Sequence, residues 1–267
     1  MNKIFKQILY ILLIILLIIC IQFIIKYNNK EFFNETIDTT TNNIKIKCFK
    51  GDNIICKYLT DTHNWEEHIS KKLIEYYKPN SNFIDIGSNY GVHSLYVANY
   101  IKNNKFNGKV YSYEIQPKIY DLFITNISDN HLNDYINPYL IGLSNIDNTM
   151  NVDFINNYDY GNNPGGTSII DIDNKNLNKD NLISTSVILK QLDSFNINNV
   201  SIIKIDVEGY ELLTLEGSLN TIMNNKPVIL IEIWNKNLEE YKNWFIKNLP
   251  NYKLENISND DYILSPV

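Results

Sequence analysis

The chain has 267 residues, 24 basic and 30 acidic, giving a formal net charge of −6. A hydrophobic share of 44% with 20% charged residues is an ordinary globular mix, which excludes a collagen-like or cysteine-scaffolded chain. Every basic residue is lysine, and no basic face of the kind that nucleic-acid binders carry is suggested.

Residues 8–25, ILYILLIILLIICIQFII, are uncharged and apolar on every side. Eighteen residues at about 1.5 Å each reach roughly 27 Å, which predicts an uncleaved signal anchor within residues 1–26. A cleavable signal peptide would have a shorter apolar core and end on small residues, whereas this run ends Gln22-Phe23-Ile24-Ile25-Lys26. Lys3 and Lys6 before the span place the N-terminus in the cytosol and the remaining chain on the other side of a membrane. Residues 27–43 are polar and aperiodic and read as a stalk, leaving 44–267 as the globular domain. Cys48 and Cys56 flank the turn signal Lys50-Gly51-Asp52-Asn53. They would face each other across a hairpin, as a disulfide or as two buried thiols.

From residue 82 strand-like and helix-like segments alternate. Strands are expected at Asn82–Gly87, Lys109–Ile115, Ile136–Ser144, Val200–Val207 and Pro227–Ile233. Helical spacing follows the first, second, fourth and fifth of these. Residues 145–182 are rich in Asn, Asp and Gly and read as an insertion or lid. Two closing strands near 252–257 and 261–265 form a hairpin. The pattern predicts an α/β fold: a doubly wound parallel sheet ending in an antiparallel hairpin.

Ligands of such sheets bind beyond the carboxyl ends of the strands. There stand Asp85, Gly87, Asn89 and Gly91 of the first βα turn; Asn89 replaces the middle glycine of a dinucleotide fingerprint, which opposes an NAD enzyme. Glu114 ends the next strand, where a carboxylate can accept ribose hydroxyls. Lys204, Asp206 and Glu208 alternate along the fourth strand, and Glu232 ends the fifth. A lysine inside an apolar strand is costly unless paired, and Asp206 is its natural partner. His63, beside Trp65, Glu66 and Glu67, could border a substrate cleft; His68, His93 and His131 read as packed or surface residues, and no pair has zinc-ligand spacing.

The runs FIDIGSNYG, VYSYEIQP, QLDSF, IIKIDVEGYELLTLEGS and PVILIEIW, in this order, resemble the FkbM family of S-adenosylmethionine-dependent methyltransferases. The resemblance implies a class I, Rossmann-like methyltransferase fold and methyl transfer to a hydroxyl, on a glycan or small molecule. It implies that Asp85, Gly87, Asn89 and Gly91 line the methionine part of the cofactor and that Glu114 holds the ribose. Catalysis then falls to Asp206, Glu208 and Lys204, with one carboxylate as base. Asp206, Glu208 and Glu232 could instead hold a divalent metal ion, a version less favoured because Lys204 already supplies positive charge. RNA ribose methylation, opposed by the acidity of the chain, and an inactive nucleoside-binding scaffold are the rival readings.

Overall fold

The computed structural model describes residues 13–22, 35–155 and 182–267. Residues 13–22 are helical and form α1. Among the described residues no helix is long and apolar enough to cross a membrane. That finding overturns the expected transmembrane helix and the single-pass membrane placement built on it. The flanks of the expected span, 8–12 and 23–25, lie outside the described residues, as do residues 27–34 of the expected stalk.

The described end of the segment read as a stalk, residues 35–43, joins the fold. Strands β1 (Thr36–Thr41) and β2 (Ile44–Phe49) pair antiparallel. They turn through Asn42 and Asn43, both at positive φ, the backbone that a two-residue hairpin turn of this hand requires. β1 is polar but β-branched, and Thr39 and Thr41 are buried. The expected hairpin between Cys48 and Cys56 is a strand-to-helix turn instead: Asp52 accepts the Ile54 and Ile55 N–H groups at 2.9 and 3.0 Å and starts helix α2 (Ile55–Thr62). The two cysteines are nevertheless joined as a disulfide.

Helix α3 (Glu67–Tyr76) leads into β3 (Asn82–Ile86), α4 (Val92–Asn103), β4 (Val110–Glu114), α5 (Pro117–Asp129) and β5 (Ile136–Leu140). Then come β6 (Gly142–Leu143), β7 (Asn148–Ile155), β8 (Leu182–Lys190), β9 (Val200–Ile205), α6 (Glu211–Glu216) and α7 (Leu219–Asn225). The chain closes with β10 (Val228–Glu232), α8 (Leu238–Asn248), β11 (Tyr252–Ser258) and β12 (Asp261–Pro266). The main sheet runs β11-β12-β10-β9-β3-β4-β5. The five strands from β10 to β5 are parallel; β12 is antiparallel to both β10 and β11, so the expected closing hairpin is present.

Alternation along the strands splits the core into two layers. Phe83 and Ile202 pack on the face covered by α3, α4, α5 and the β1–β2 ribbon. Ile84, Ile86, Ile203 and Ile205 pack on the opposite face, with Leu215, Ile222 and Phe245 of α6 to α8. Asp85 and Lys204, in register across β3 and β9, therefore belong to the α3–α4 side. The edges of the expected insertion are ordered strands: β7 and β8 pair antiparallel, and β6 adds parallel to β8. Residues 156–181 lie outside the described residues.

Candidate active site

The chain reverses direction across the sheet between β3 and β9, which creates a crevice at their carboxyl ends. A cleft there reaches the ends of β4, β3, β9 and β10 in that spatial order. Gly87 and Asn89, Glu114, Lys204 with Asp206 and Glu208, and Glu232 all line it. These expected site residues, contributed by four strand ends, are thus brought together.

Gly87 lets the β3 and β9 exits touch. Its φ is +79°, and a Cβ there would lie 1.8 Å from the Asp206 carbonyl oxygen, while the Asp206 N–H donates to the Ile86 carbonyl at 3.0 Å. Gly91 answers to packing: its φ is +85° and a Cβ would meet the Phe123 ring at 2.1 Å. Gly91 and Asp85 are not among the lining residues. Asp85 is buried below the cleft, where Oδ2 accepts the Ser94 hydroxyl at 2.5 Å, and its Oδ1 has no hydrogen-bond partner among the described residues.

Glu114 ends β4 and is 6% exposed. Oε2 accepts the Asn89 N–H and Oε1 the Gln116 N–H, both at 2.8 Å. Burial pushes its carboxyl up from the ordinary 4.5 to about 7, against the pull of these backbone donors. A carboxylate has about four acceptor sites, so a ligand's hydroxyls can still bind to it. Ile115, Ile141, Leu143 and Leu189 supply apolar wall nearby.

Lys204 is buried, and its Nζ donates to Asp206 Oδ2 at 3.0 Å. Burial alone would lower its pKa; the Asp206, Asp85 and Glu66 carboxylates more than reverse that and hold it above the ordinary lysine range. β9 stops at Ile205, two residues earlier than the periodicity predicts, so Glu208 sits in a tight turn at φ 55°. Glu211 fixes that turn: Oε1 accepts the Val207 and Gly209 N–H groups at 3.2 and 2.9 Å, and Oε2 accepts the Tyr241 hydroxyl at 3.0 Å. Glu232 is pushed up to about 9 by burial and by the Asp206, Glu208 and Glu211 charges. Among the described residues, no three His, Cys, Asp or Glu side chains are grouped so as to hold a metal ion.

Sequence reasoning missed several lining residues, Trp65, Glu66 and His93 among them. His63 does not line the cleft. His93 Nε2 lies 2.9 Å from Glu66 Oε2, and its Nδ1 lies 3.3 Å from the Ser70 hydroxyl. The only signal for Trp65 and Glu66 was their place beside His63.

Five carboxylates (Glu66, Glu114, Asp206, Glu208, Glu232) and one lysine line the cleft. That set suits a ligand with a diol and a positive charge and repels phosphate. The sheet order and a cleft of this kind define a Rossmann-like methyltransferase fold. Residues 85–251 match the family model described as Methyltransferase FkbM domain, and the chain belongs to that family.

No curated protein matches the chain. Among solved structures, one described as methyltransferase FkbM from Methylobacillus flagellatus KT is similar at 16% identity with a TM-score of 0.46. The match covers 73% of this chain and 50% of that one, so the chain spans about half the length of that relative. TYW2 from P. horikoshii, in complex with MeSAdo, is similar at 16% identity and TM-score 0.45, over 86% of this chain and 69% of that one. Precorrin-6y C5,15-methyltransferase from Geobacter metallireducens GS-15 is similar at 10% identity and TM-score 0.45, over 76% and 89%.

Proposed function

We propose that this methyltransferase uses S-adenosylmethionine and methylates a hydroxyl oxygen of its acceptor. The observation that carries the reading is Glu114: a buried carboxylate at the end of β4, tied to the glycine turn through Asn89 and set beside apolar wall in an acidic cleft. Glu114 accepts the ribose hydroxyls. The turn containing Gly87 and Asn89 adjoins the methionine part, with Asp85 and Gly91 supporting it from outside the cleft. The surplus of carboxylates favours a sulfonium and disfavours a nucleotide phosphate, which also sets RNA and NAD aside.

When bound, the cofactor supplies an electrophilic methyl group. The chain's own residues align the acceptor and remove its proton. Alignment can contribute several kcal/mol and a general base about 10²–10⁴-fold. Asp206 is the base, oriented by Lys204, with Glu208 beside it. Lys204 already places a cation against Asp206, which favours a metal-free site.

Calorimetry on the full chain with S-adenosylmethionine, with NAD and without ligand tests the cofactor reading. Binding of S-adenosylmethionine alone is expected, and Glu114→Ala should weaken it by about 1–3 kcal/mol by leaving hydroxyls unpaired. Unchanged affinity in a folded Glu114→Ala variant would rule the assignment out.

A further inference from the structure

Methylation of a hydroxyl forms a C–O bond, breaks a C–S bond and frees the hydroxyl proton. Asp206 takes that proton in the proposed reaction and must lose it before the next turnover. Its bonded neighbour cannot accept it, because Lys204 is held above the ordinary lysine range and stays protonated. Asp206 lines the cleft that the ligands occupy during transfer. The proton therefore needs a second acceptor and a way to solvent.

The sheet supplies a row of such groups. Ile205 of β9 stands opposite Ile231 of β10, so Asp206 and Glu232 follow at adjacent strand ends, with backbones about 5 Å apart, and both line the cleft. Glu232 is in turn paired with Asp261 across antiparallel β10 and β12. Residues opposed in this way send their side chains to one face, with Cβ atoms about 5 Å apart. That face is the α3–α4 side, because Leu230 and Ile263, two residues from Glu232 and Asp261, pack there, while Ile229, Ile231 and Leu264 pack on the other. The Ile233 N–H donates to the Asp260 carbonyl at 2.7 Å and carries the pairing past Glu232. Helix α3 lays His68 over the far end of the row: Nε2 lies 2.8 Å from Asp261 Oδ2, and the imidazole is 44% exposed. The row thus runs from the cleft to solvent.

Among the described residues no lysine or histidine pairs with Glu232; Lys204 pairs with Asp206 and His68 with Asp261. Burial and the charges of Asp206, Glu208 and Glu211 push Glu232 up to about 9, with Lys204 acting the other way, so it holds a proton at neutral pH. A neutral carboxyl has both a donor and acceptors, and can hand on one proton while it receives another. Asp261 is raised by burial and by the Glu66 charge, against the pull of His68 and Lys204, which makes it a better proton acceptor than an ordinary aspartate. We infer that Glu232, Asp261 and His68 form the proton outlet of the active site. The proton that Asp206 takes from the acceptor passes to Glu232, the one Glu232 held moves to Asp261, and His68 releases one to solvent. One proton enters the row and one leaves it, so no co-reactant is consumed. The inference rests on the proposed function and adds the path by which its base is reset.

The first test needs no acceptor: the full chain, with its histidines isotopically labelled, is titrated by NMR. The His68 signal should show its own ionisation and a second inflection near pH 9, and Glu232→Gln should abolish the second. A His68 signal without that inflection, or one that keeps it in folded Glu232→Gln, overturns the outlet. The second test follows labelled methyl transfer from S-adenosylmethionine to a panel of simple alcohols and phenols. On a probe that is methylated, Asp261→Asn and His68→Ala should each lower kcat about tenfold, with acceptor KM and cofactor affinity unchanged. Added imidazole should restore most of the loss in His68→Ala. An unchanged kcat in both folded variants, or a loss that imidazole does not relieve, also overturns the outlet. Where no probe is methylated, the titration decides alone. Failure to bind S-adenosylmethionine in calorimetry sinks the proposed function and the outlet with it, whereas a missing inflection with binding intact sinks the outlet only.

Discussion

Glu114 couples the site to pH in two ways. Its folded pKa of about 7 lies above the ordinary 4.5, so the stability it contributes is fully present below pH 4.5 and is lost as pH rises through 7. The loss amounts to about 3 kcal/mol. The proposed ribose contact works the opposite way, because the ionised carboxylate is the better acceptor. Cofactor affinity should fall about tenfold per pH unit below 7 and level off above it, and Glu114→Gln should flatten that dependence. Titration calorimetry across this range checks both halves. At the next strand end, Asp206→Asn should cut turnover at least about a hundredfold while cofactor affinity changes little. Lys204→Met leaves Asp85 and Asp206 without their shared cation and should cost about 3–5 kcal/mol in chemical denaturation. Lys204, Asp206 and Glu232 were readable in the sequence because a charge inside or just beyond an apolar strand has few explanations. Glu66 was not: its bond to His93 spans 27 residues and is created by the packing of α3 on α4, which no local pattern encodes.

The elements show the same division. β3, β4, β9 and β10 are covered on both faces, so their sequences are short apolar runs that announce themselves. β1 (TIDTTT) resembled a linker because its surface is largely polar and, among the described residues, its only strand partner is β2. β7 lies in the Asn-rich stretch read as an insertion and β8 starts at its end; the two pair with each other, β6 adds only two residues to β8, and few of their side chains are buried. The turn after β9 was read as strand because Lys204, Asp206 and Glu208 alternate; what ends the strand is Glu211, whose carboxylate collects two backbone N–H groups and folds residues 207–211 into a loop. Glu211→Ala orphans those donors and the Tyr241 hydroxyl, and should cost about 3 kcal/mol in thermal or urea unfolding. Turnover should fall further than stability predicts, since Asp206 borders that loop and Glu208 lies in it. Gly87→Ala forces a Cβ against the Asp206 carbonyl at positive φ and should cost upwards of about 3 kcal/mol, more than any neighbouring Ser or Asn substitution.

At the scale of the molecule, the described residues from 35 up to the family domain form a wall of the cleft as well as a covering for the sheet. Asn126 of α5 and Asn130 just beyond its end bond the backbone of Lys47 and Lys45, clamping β2 to the methyltransferase domain. Thr39 of β1 donates to the Leu59 carbonyl of α2, and the Cys48–Cys56 disulfide ties β2 to the start of α2. Ile54 and Ile55, next to Cys56, line the cleft. A chain that starts at Ile44, the domain boundary suggested by composition, therefore loses a strand that the fold uses. It should melt several degrees below one starting at Glu35, because the Thr39 bond, the Ile37 packing and the β1–β2 ladder are lost together. Closing a loop with a sequence separation of 8 is worth about 2–3 kcal/mol in the chain-entropy account, so Cys48→Ser with Cys56→Ser should lower stability by that much. Because the freed segment carries cleft residues, the double variant should also bind S-adenosylmethionine more weakly under conditions where it remains folded. Equal affinity in the two proteins would mean that the disulfide stabilises the fold without shaping the site, and that Ile54 and Ile55 are held in place by Asp52 alone.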